Sequence, residues 1–323
     1  MSKYSPLLKE KAPFFLLAAI SAVLTFIAQQ KGGAVGVLGD YTFVMRITNA
    51  LTAYAGYLIK MIWPFKLAVF YPHHGIPPLW QIAGSVVLLS GISVFVIRRM
   101  GKMPYLAMGW LWYLITLAPV SGIVQVGAQT MADRYTYVPL IGVFIMAVWV
   151  IPDILAGYRK IRTIIGITAI IVLLIICISS YAQVSYWQDC ATLFNHNIAV
   201  TGDNAVANFN LGVFYNNQGD KDRAIINFKK VLQTNPKNEQ AGYNLGLIYY
   251  KNSRLNEAGR YMKHALLIKP DEKANYYLGL IMAQQGDLGR AIEYFEAALR
   301  INPEFTPARN NLIRVQEMKK GIE

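Results

Sequence analysis

The stretch "NLGVFYNNQGDKDRAIINFKKVLQTNP" occupies residues 210–236. Two similar stretches follow it, "NLGLIYYKNSRLNEAGRYMKHALLIKP" at 244–270 and "YLGLIMAQQGDLGRAIEYFEAALRINP" at 277–303. A Leu-Gly pair, a small residue and a proline recur at matching places in all three copies. A period of about 34 residues predicts helix pairs that stack into a solenoid.

The recurring residues explain how such pairs would pack. Glycine in the first helix and Ala224, Ala258 or Ala291 in the second let the two helices approach closely, and proline ends the second helix. The pattern closely resembles the tetratricopeptide repeat. We predict a repeat domain over 204–323, preceded by a linker and capping helix at 185–203. Its parts are repeats near 205–238, 239–271 and 272–305 and a capping helix at 306–320.

The first helix of each repeat supplies the concave face on which such repeats bind polypeptides. We predict a peptide-binding groove formed by Phe209, Asn210, Tyr243, Asn244 and Tyr276. Asparagine carries both a donor and an acceptor, so a row of asparagines can hold an extended peptide backbone. This row resembles the repeats of O-linked N-acetylglucosamine transferases, although Tyr277 interrupts it. The alternative is that these are ordinary residues of the repeat surface.

The rest of the chain has a different composition. The whole chain is 54% hydrophobic and only 15% charged, against about 25% charged in soluble proteins. Residues 1–182 hold 14 Lys and Arg but 4 Asp and Glu, a net charge of +10. Because these cations flank long apolar segments, they favour contact with a membrane lipid surface, and we expect no nucleic-acid partner. We predict a membrane domain over 1–184.

Five segments are long and apolar enough to be membrane spans: 13–29, 79–97, 104–122, 137–156 and 163–182. The segment 41–63 carries a polar stripe at helical spacing, which suits a helix lying in the interface or lining a polar cavity. The positions of Lys and Arg favour five crossings with 41–63 on the outer face. The predicted fold is therefore all-α, a polytopic bundle followed by a solenoid. We expect an integral protein of a bacterial inner membrane whose repeats lie outside the cytoplasm.

The stretch "MADRYTYVPLIGVF" at 131–144 places Asp133, Arg134, Tyr135 and Tyr137 at the edge of an apolar run. Ionisable residues at membrane depth are costly and often mark a functional site. Arginine suits a phosphate because its planar fork donates paired hydrogen bonds, and the phosphate expected on the outer face is that of a lipid carrier. We predict that Asp133 pairs with Arg134 and has a lowered pKa. The alternative is the solvated end of a span.

The loop "FKLAVFYPHHGIPPLW" at 65–80 is rich in proline and aromatic residues. His73 and His74 are adjacent, and neighbouring residues rarely point at one metal ion, so we expect no metal site. One histidine could hydrogen-bond a phosphate or a sugar. The alternative is a rigid interfacial loop.

The stretches "WYLITLAPVSGIVQVG" (112–127) and "ADRYTYVPL" (132–140), together with the repeats, resemble the transmembrane and tetratricopeptide-repeat-containing O-mannosyltransferases and their bacterial relatives. The resemblance implies a GT-C glycosyltransferase fold. It also implies transfer of a sugar from a polyprenyl- or dolichyl-phosphate donor to protein Ser or Thr. Arg134, Tyr137 and His73 would bind the lipid phosphate, supported by Asp133 and Tyr135.

One departure from that family concerns catalysis. Its members carry further upstream spans and an acidic pair in the first outer loop, which supplies the catalytic base; this sequence has no match to that pair. We expect an upstream-encoded N-terminal half to complete the enzyme, and the catalytic residues of this chain are unknown. The alternatives are a non-catalytic membrane-anchored repeat scaffold for envelope complexes and, less favoured, a transporter subunit.

Overall fold

The computed structural model describes residues 42–73, 75–123, 129–154 and 159–321, with isolated positions between 10 and 28. The predicted span 13–29 is therefore described only in part, and His74 lies outside the described residues. The chain divides into two compact units, Met1–Ser185 and Tyr186–Glu323.

The first unit is built mainly from helices. They are α1 (Phe43–Ile62), α2 (Leu79–Arg99), α3 (Pro104–Leu117), α4 (Pro139–Ile154) and α5 (Arg159–Ser185). A short antiparallel pair, β1 (Tyr71–Pro72) with β2 (Gln129–Met131), joins two loops in which the sequence predicts no strand. A 3-10 turn, Asp133–Thr136, follows β2.

The helix lengths do not confirm the predicted five-span bundle. By length and composition alone, α2 and the Gly166–Ser185 part of α5 could cross a membrane, whereas Pro104–Val120 and Pro139–Asp153 are shorter apolar helices. The α-helix that starts at Pro104 ends at Leu117 and tightens into a 3-10 turn that contains Pro119. Proline has no N–H to donate and its ring disrupts the preceding turn, which explains the early end.

Two features hold the first unit together. Helices α3 and α4 meet at Gly109 and Gly142, where a Cβ atom on either residue would lie 2.3 Å from the carbonyl oxygen of the other. Helix α1 is tied to α3 by reciprocal hydrogen bonds: the Tyr113 hydroxyl donates to the Tyr54 carbonyl (2.6 Å), and the Tyr54 hydroxyl donates to the Leu114 carbonyl (2.7 Å). Both contacts depend on backbone atoms, so they fix the helix positions closely.

The second unit consists of three consecutive helix pairs, preceded by one helix and followed by another. Its helices are α6 (Cys190–Thr201), α7 (Ala205–Asn217), α8 (Lys221–Thr234), α9 (Glu239–Lys251), α10 (Leu255–Ile268), α11 (Glu272–Gln284), α12 (Leu288–Ile301) and α13 (Thr306–Lys320). Asparagine or aspartate caps most of their N-termini through a side-chain oxygen that accepts a backbone N–H.

The helix pairs interlock in the way that the repeat predicts. In each pair a glycine of the first helix faces a large buried side chain of the second. A Cβ atom would lie 2.8 Å from the Phe228 ring at Gly212, 2.8 Å from Met262 at Gly246, and 2.6 Å from the Phe295 ring at Gly279. The predicted close approach through glycine is confirmed.

We expect Gly279→Ala to destabilise the second unit. Alanine gains about 1 kcal/mol of helix propensity over glycine, but overpacking a filled core costs about 1–3 kcal/mol, and the Phe295 ring is fully buried. The net loss should be about 1–2 kcal/mol, measured by chemical unfolding of the full chain. Gly289→Ala is the matched control, since its Cβ atom would meet nothing closer than 3.8 Å. Equal stability of the two variants would contradict the interlock.

We expect Gly142→Ala to separate α3 from α4. The obstructing atom is a backbone oxygen, which cannot move aside as a flexible side chain can, so the loss should reach about 3 kcal/mol. Thermal unfolding of the purified full chain measures it. Gly91→Ala on α2 is the control, because no atom lies within 4 Å of its Cβ position; a melting temperature for Gly142→Ala at or above that of this control would refute the contact.

Candidate functional site

Asp133 is an internal anchor of the first unit. Both of its carboxylate oxygens accept hydrogen bonds from the Tyr71 hydroxyl (3.1 Å), and Oδ2 also accepts from the Ala68 N–H (2.9 Å). The predicted pair with Arg134 is therefore wrong. The predicted lowering of the pKa is wrong as well, because burial of the carboxyl raises its pKa. Arg134 is adjacent to Asp133 in sequence, but the hydrogen-bond partners of Asp133 are Tyr71 and Ala68.

The cation near this carboxyl is Lys60, at the end of α1. Its ammonium lies 4.6 Å from the centre of the Tyr71 ring and donates to the Lys66 carbonyl at 3.3 Å. The charge of Lys60 acts to lower the pKa of Asp133, but burial acts more strongly in the opposite direction. Lys66 itself has a φ of 53°, a left-handed conformation that bends the loop toward this cluster.

Arg134 points outward from the same 3-10 turn. One guanidinium nitrogen donates to the Val69 carbonyl at 3.3 Å, and the group lies 5.1 Å from the centre of the Tyr135 ring. The Tyr135 hydroxyl accepts a hydrogen bond from Gln129 at 2.7 Å. Arg134 is exposed, and Tyr137 is 78% exposed. Arg134 thus lies at the surface with one long hydrogen bond to Val69, and its other guanidinium N–H groups can donate to an anion.

His73 follows β1 and is partly buried. Its Nδ1 accepts a hydrogen bond from the Gly75 N–H at 3.1 Å, so the proton of the neutral ring lies on Nε2. His73 follows the strand that pairs with β2, and Arg134 comes three residues after β2. The structure places both near the strand pair but shows no hydrogen bond between them. Within the described ranges, no three His, Cys, Asp or Glu residues are grouped to hold a metal ion.

A cavity of about 860 Å³ lies between α1, α2 and the strand pair. Asn49, Thr52 and Gly56, three members of the polar stripe on α1, line it. This part of the stripe thus faces a cavity whose lining also includes apolar residues such as Ala55, Ile59 and Leu88, and the interfacial role stays a prediction. Neither Arg134 nor Tyr137 is among the lining residues. The spacing of polar residues on α1 indicated which side of that helix faces the cavity. It did not indicate that α2 forms the opposite wall.

In the second unit, part of the predicted groove forms a hollow of about 260 Å³. The lining consists of Phe209, Tyr243 and Asn244 and of residues outside the predicted groove, which are Glu239, Gln240, Ala265, Lys269, Asp271 and Ala274. Burial is the main cause that raises the pKa of Tyr243 to about 12, and Tyr277, Asp271 and Glu272 add to it.

The remaining predicted groove residues lie elsewhere. Asn210 does not line the hollow, and its amide donates to the Val206 carbonyl of its own helix at 2.8 Å. Tyr276 packs against the rings of Phe295 and Phe305, and its hydroxyl accepts from Asn311. It joins the third repeat to the closing helix.

Comparison with known proteins agrees with the repeat architecture. Models described as "Tetratricopeptide repeat" match residues 205–238, 240–272 and 272–305. Among solved structures, "Crystal structure of MamA" is 24% identical with a TM-score of 0.38, covering 40% of this chain and 75% of that one. The chain thus contains three tetratricopeptide repeats.

Two curated relatives are similar over different lengths. "Protein O-mannosyl-transferase TMTC1" of Mus musculus is 23% identical over 258 residues, 74% of this chain. "Photosystem I assembly protein Ycf3" of Prochlorococcus marinus (strain NATL2A) is 44% identical over 46 residues, 14% of this chain. The chain spans 27% of the length of each relative. It is a tetratricopeptide-repeat protein with weak similarity to an O-mannosyltransferase.

Proposed function

We propose that this chain is the carrier-binding and acceptor-presenting part of a protein O-glycosyltransferase that uses a lipid-phosphate sugar. One observation carries the proposal. The similarity to the mouse O-mannosyltransferase covers 74% of the chain, whereas the repeat-bearing unit, Tyr186–Glu323, is less than half of it. The similarity therefore extends well into the apolar unit and is not explained by the repeats alone.

In this proposal the first unit lies in a bacterial inner membrane. Asp133 does not act as the base: buried and held by Tyr71 and Ala68, it fixes the turn that carries Arg134. Arg134 binds the phosphate of a polyprenyl carrier, assisted by Tyr137 and by His73. An acidic base would come from an upstream-encoded half.

The repeats would bind the acceptor polypeptide outside the cytoplasm. The hollow lined by Phe209, Tyr243 and Asn244 offers ring surface and amide groups of the kind that hold an extended chain. The amide nitrogen of Asn244 donates to its own helix at Gln240, which leaves the side-chain oxygen for a peptide N–H. If only this binding occurs, the chain is a membrane-anchored scaffold, the second candidate function.

Arg134→Ala should weaken binding of polyprenyl phosphate by the full chain roughly 10- to 100-fold, because a charge-assisted hydrogen bond contributes about 1.5–3 kcal/mol. Arg134→Lys should also be impaired, since an ammonium cannot reproduce the planar fork. Lipid-exchange binding with polyprenyl phosphate and with polyprenol measures the effect.

Arg98→Ala is the control for that experiment, because Arg98 is an exposed arginine in the last turn of α2. Equal affinity of the wild-type chain for polyprenol and polyprenyl phosphate would reject carrier recognition and favour the scaffold.

The raised pKa of Asp133 predicts an unusual pH dependence of stability. Because the folded state holds this proton more tightly than the unfolded state, the contribution of Asp133 to stability is greatest below the ordinary carboxyl pKa of about 4 and is lost as pH rises through the raised value. Asp133→Asn keeps an acceptor for Tyr71 and Ala68 but does not titrate. The melting temperature of the variant relative to wild type should therefore rise between pH 4 and 7. A relative fall over that range would contradict the burial of the carboxyl.

A further inference from the structure

We propose that the cavity between α1 and α2 is a second lipid site, separate from Arg134. Its ligand has one hydrocarbon chain in the cavity and a head with an anionic oxygen and a hydroxyl group, bound at Arg46 and Asn49. The site rests on the proposed membrane location of the first unit. It does not depend on Arg134 or on sugar transfer.

The lining of the cavity changes character along each helix. On α1, Asn49 and Thr52 come first, and Ala55, Gly56 and Ile59 follow. On α2, Trp80 and Gln81 come first, and Leu88 comes last. Each wall thus has hydrogen-bonding groups toward the N-terminus of its helix and apolar surface beyond. Such a lining matches an amphiphile better than a wholly polar or wholly apolar ligand.

Asn49 is the best-defined polar group at this site. Its side chain is 3% exposed. The amide nitrogen donates to the Ser121 and Thr130 carbonyls, both at the long distance of 3.4 Å. Across the described ranges, no residue donates a hydrogen bond to its Oδ1, although buried side-chain oxygens normally accept one. An amide oxygen beside the cavity that receives no donor from the described residues suits a donor from the ligand, and a hydroxyl group provides one.

Arg46 is not among the residues that line the cavity, but it lies beside Asn49 and would supply the charge at the end of the cavity. It lies three residues before Asn49 on α1 and therefore on the same side of the helix. One guanidinium nitrogen reaches the Ile123 carbonyl only at 3.4 Å, and the buried Nε has no hydrogen-bond partner in the described part of the chain. A buried charged nitrogen without a partner is costly. An anionic oxygen would satisfy it, and the planar guanidinium suits a phosphate.

The remainder of the cavity suits a chain rather than a compact ligand. Gly56 and Gly84 remove side chains from the facing walls. At Gly84, a Cβ atom would meet no atom within 4 Å. This space lies on α2, which is one of two helices in the described ranges that are long and apolar enough to cross a membrane, so a hydrocarbon chain could enter without passing through water.

Two lipids share the required head chemistry, a hexosyl phosphoryl polyprenol and phosphatidylglycerol. The test measures binding of each to the delipidated full chain carrying Arg134→Ala, so that the exposed site does not contribute. Polyprenol, which has the hydrocarbon chain without phosphate, is the comparison ligand. Native mass spectrometry gives both affinity and the number of bound lipids.

Gly84→Phe should fill the cavity and lower the affinity at least tenfold. Gly91→Phe is the matched control: it lies two turns further along α2, its Cβ position is also open, and it does not line the cavity. Arg46→Gln should weaken binding roughly tenfold or more by removing the charge, and should bring the affinity for the phosphate lipid close to that for polyprenol. Whichever phosphate lipid binds more tightly identifies the source of the ligand.

Unchanged binding in both Gly84→Phe and Arg46→Gln, with circular dichroism showing a folded chain, would overturn the inference. Equal affinity for polyprenol and the phosphate lipids in the Arg134→Ala chain would also overturn it. Failure of carrier recognition at Arg134 is a separate result. In that case Arg134→Ala would leave the affinity of the chain for the phosphate lipid unchanged, whereas Gly84→Phe would lower it.

Discussion

Both units depend on helices approaching each other more closely than side chains normally allow. In the first unit, two glycines bring the backbones of α3 and α4 into contact. In the second, one glycine per repeat admits a large side chain of the facing helix. Glycine costs about 1 kcal/mol in a helix interior relative to alanine. That cost is outweighed where the close contact excludes water from an aromatic ring or fixes a crossing point.

The repeats were predictable because each one carries its own structural signals. The period, the glycine, the small residue and the proline are local in sequence, and the contacts they make lie within one repeat or between neighbours. The same reasoning predicted Phe209, Tyr243 and Asn244 together. It did not predict that Tyr276 packs against Phe305 in the closing helix or that Asn210 lies outside the hollow, although the amides of Asn210 and Asn244 make the same bond within their own helices.

The first unit was harder to predict because its decisive contacts join distant segments. Adjacency in sequence suggested that Arg134 would pair with Asp133, yet a buried carboxyl accepts hydrogen bonds from whichever donors the fold brings to it. Here these are Tyr71 and the Ala68 N–H, more than sixty residues away. The strand pair that brings them together is too short to leave a sequence pattern. The polar stripe on α1 was visible as a helical spacing, but only the second wall on α2 shows that it faces a cavity.

The three repeats differ in what fills the space opposite the glycine. The first and third use the rigid rings of Phe228 and Phe295, whereas the second uses Met262. A thioether side chain has three rotatable bonds and adapts to small changes in its surroundings. Four of the residues that line the hollow belong to α9, the helix that rests on this methionine. The hollow therefore rests on the contact with the greatest side-chain freedom of the three, which gives α9 more room to adjust to different sequences than the phenylalanine rings give their own repeats.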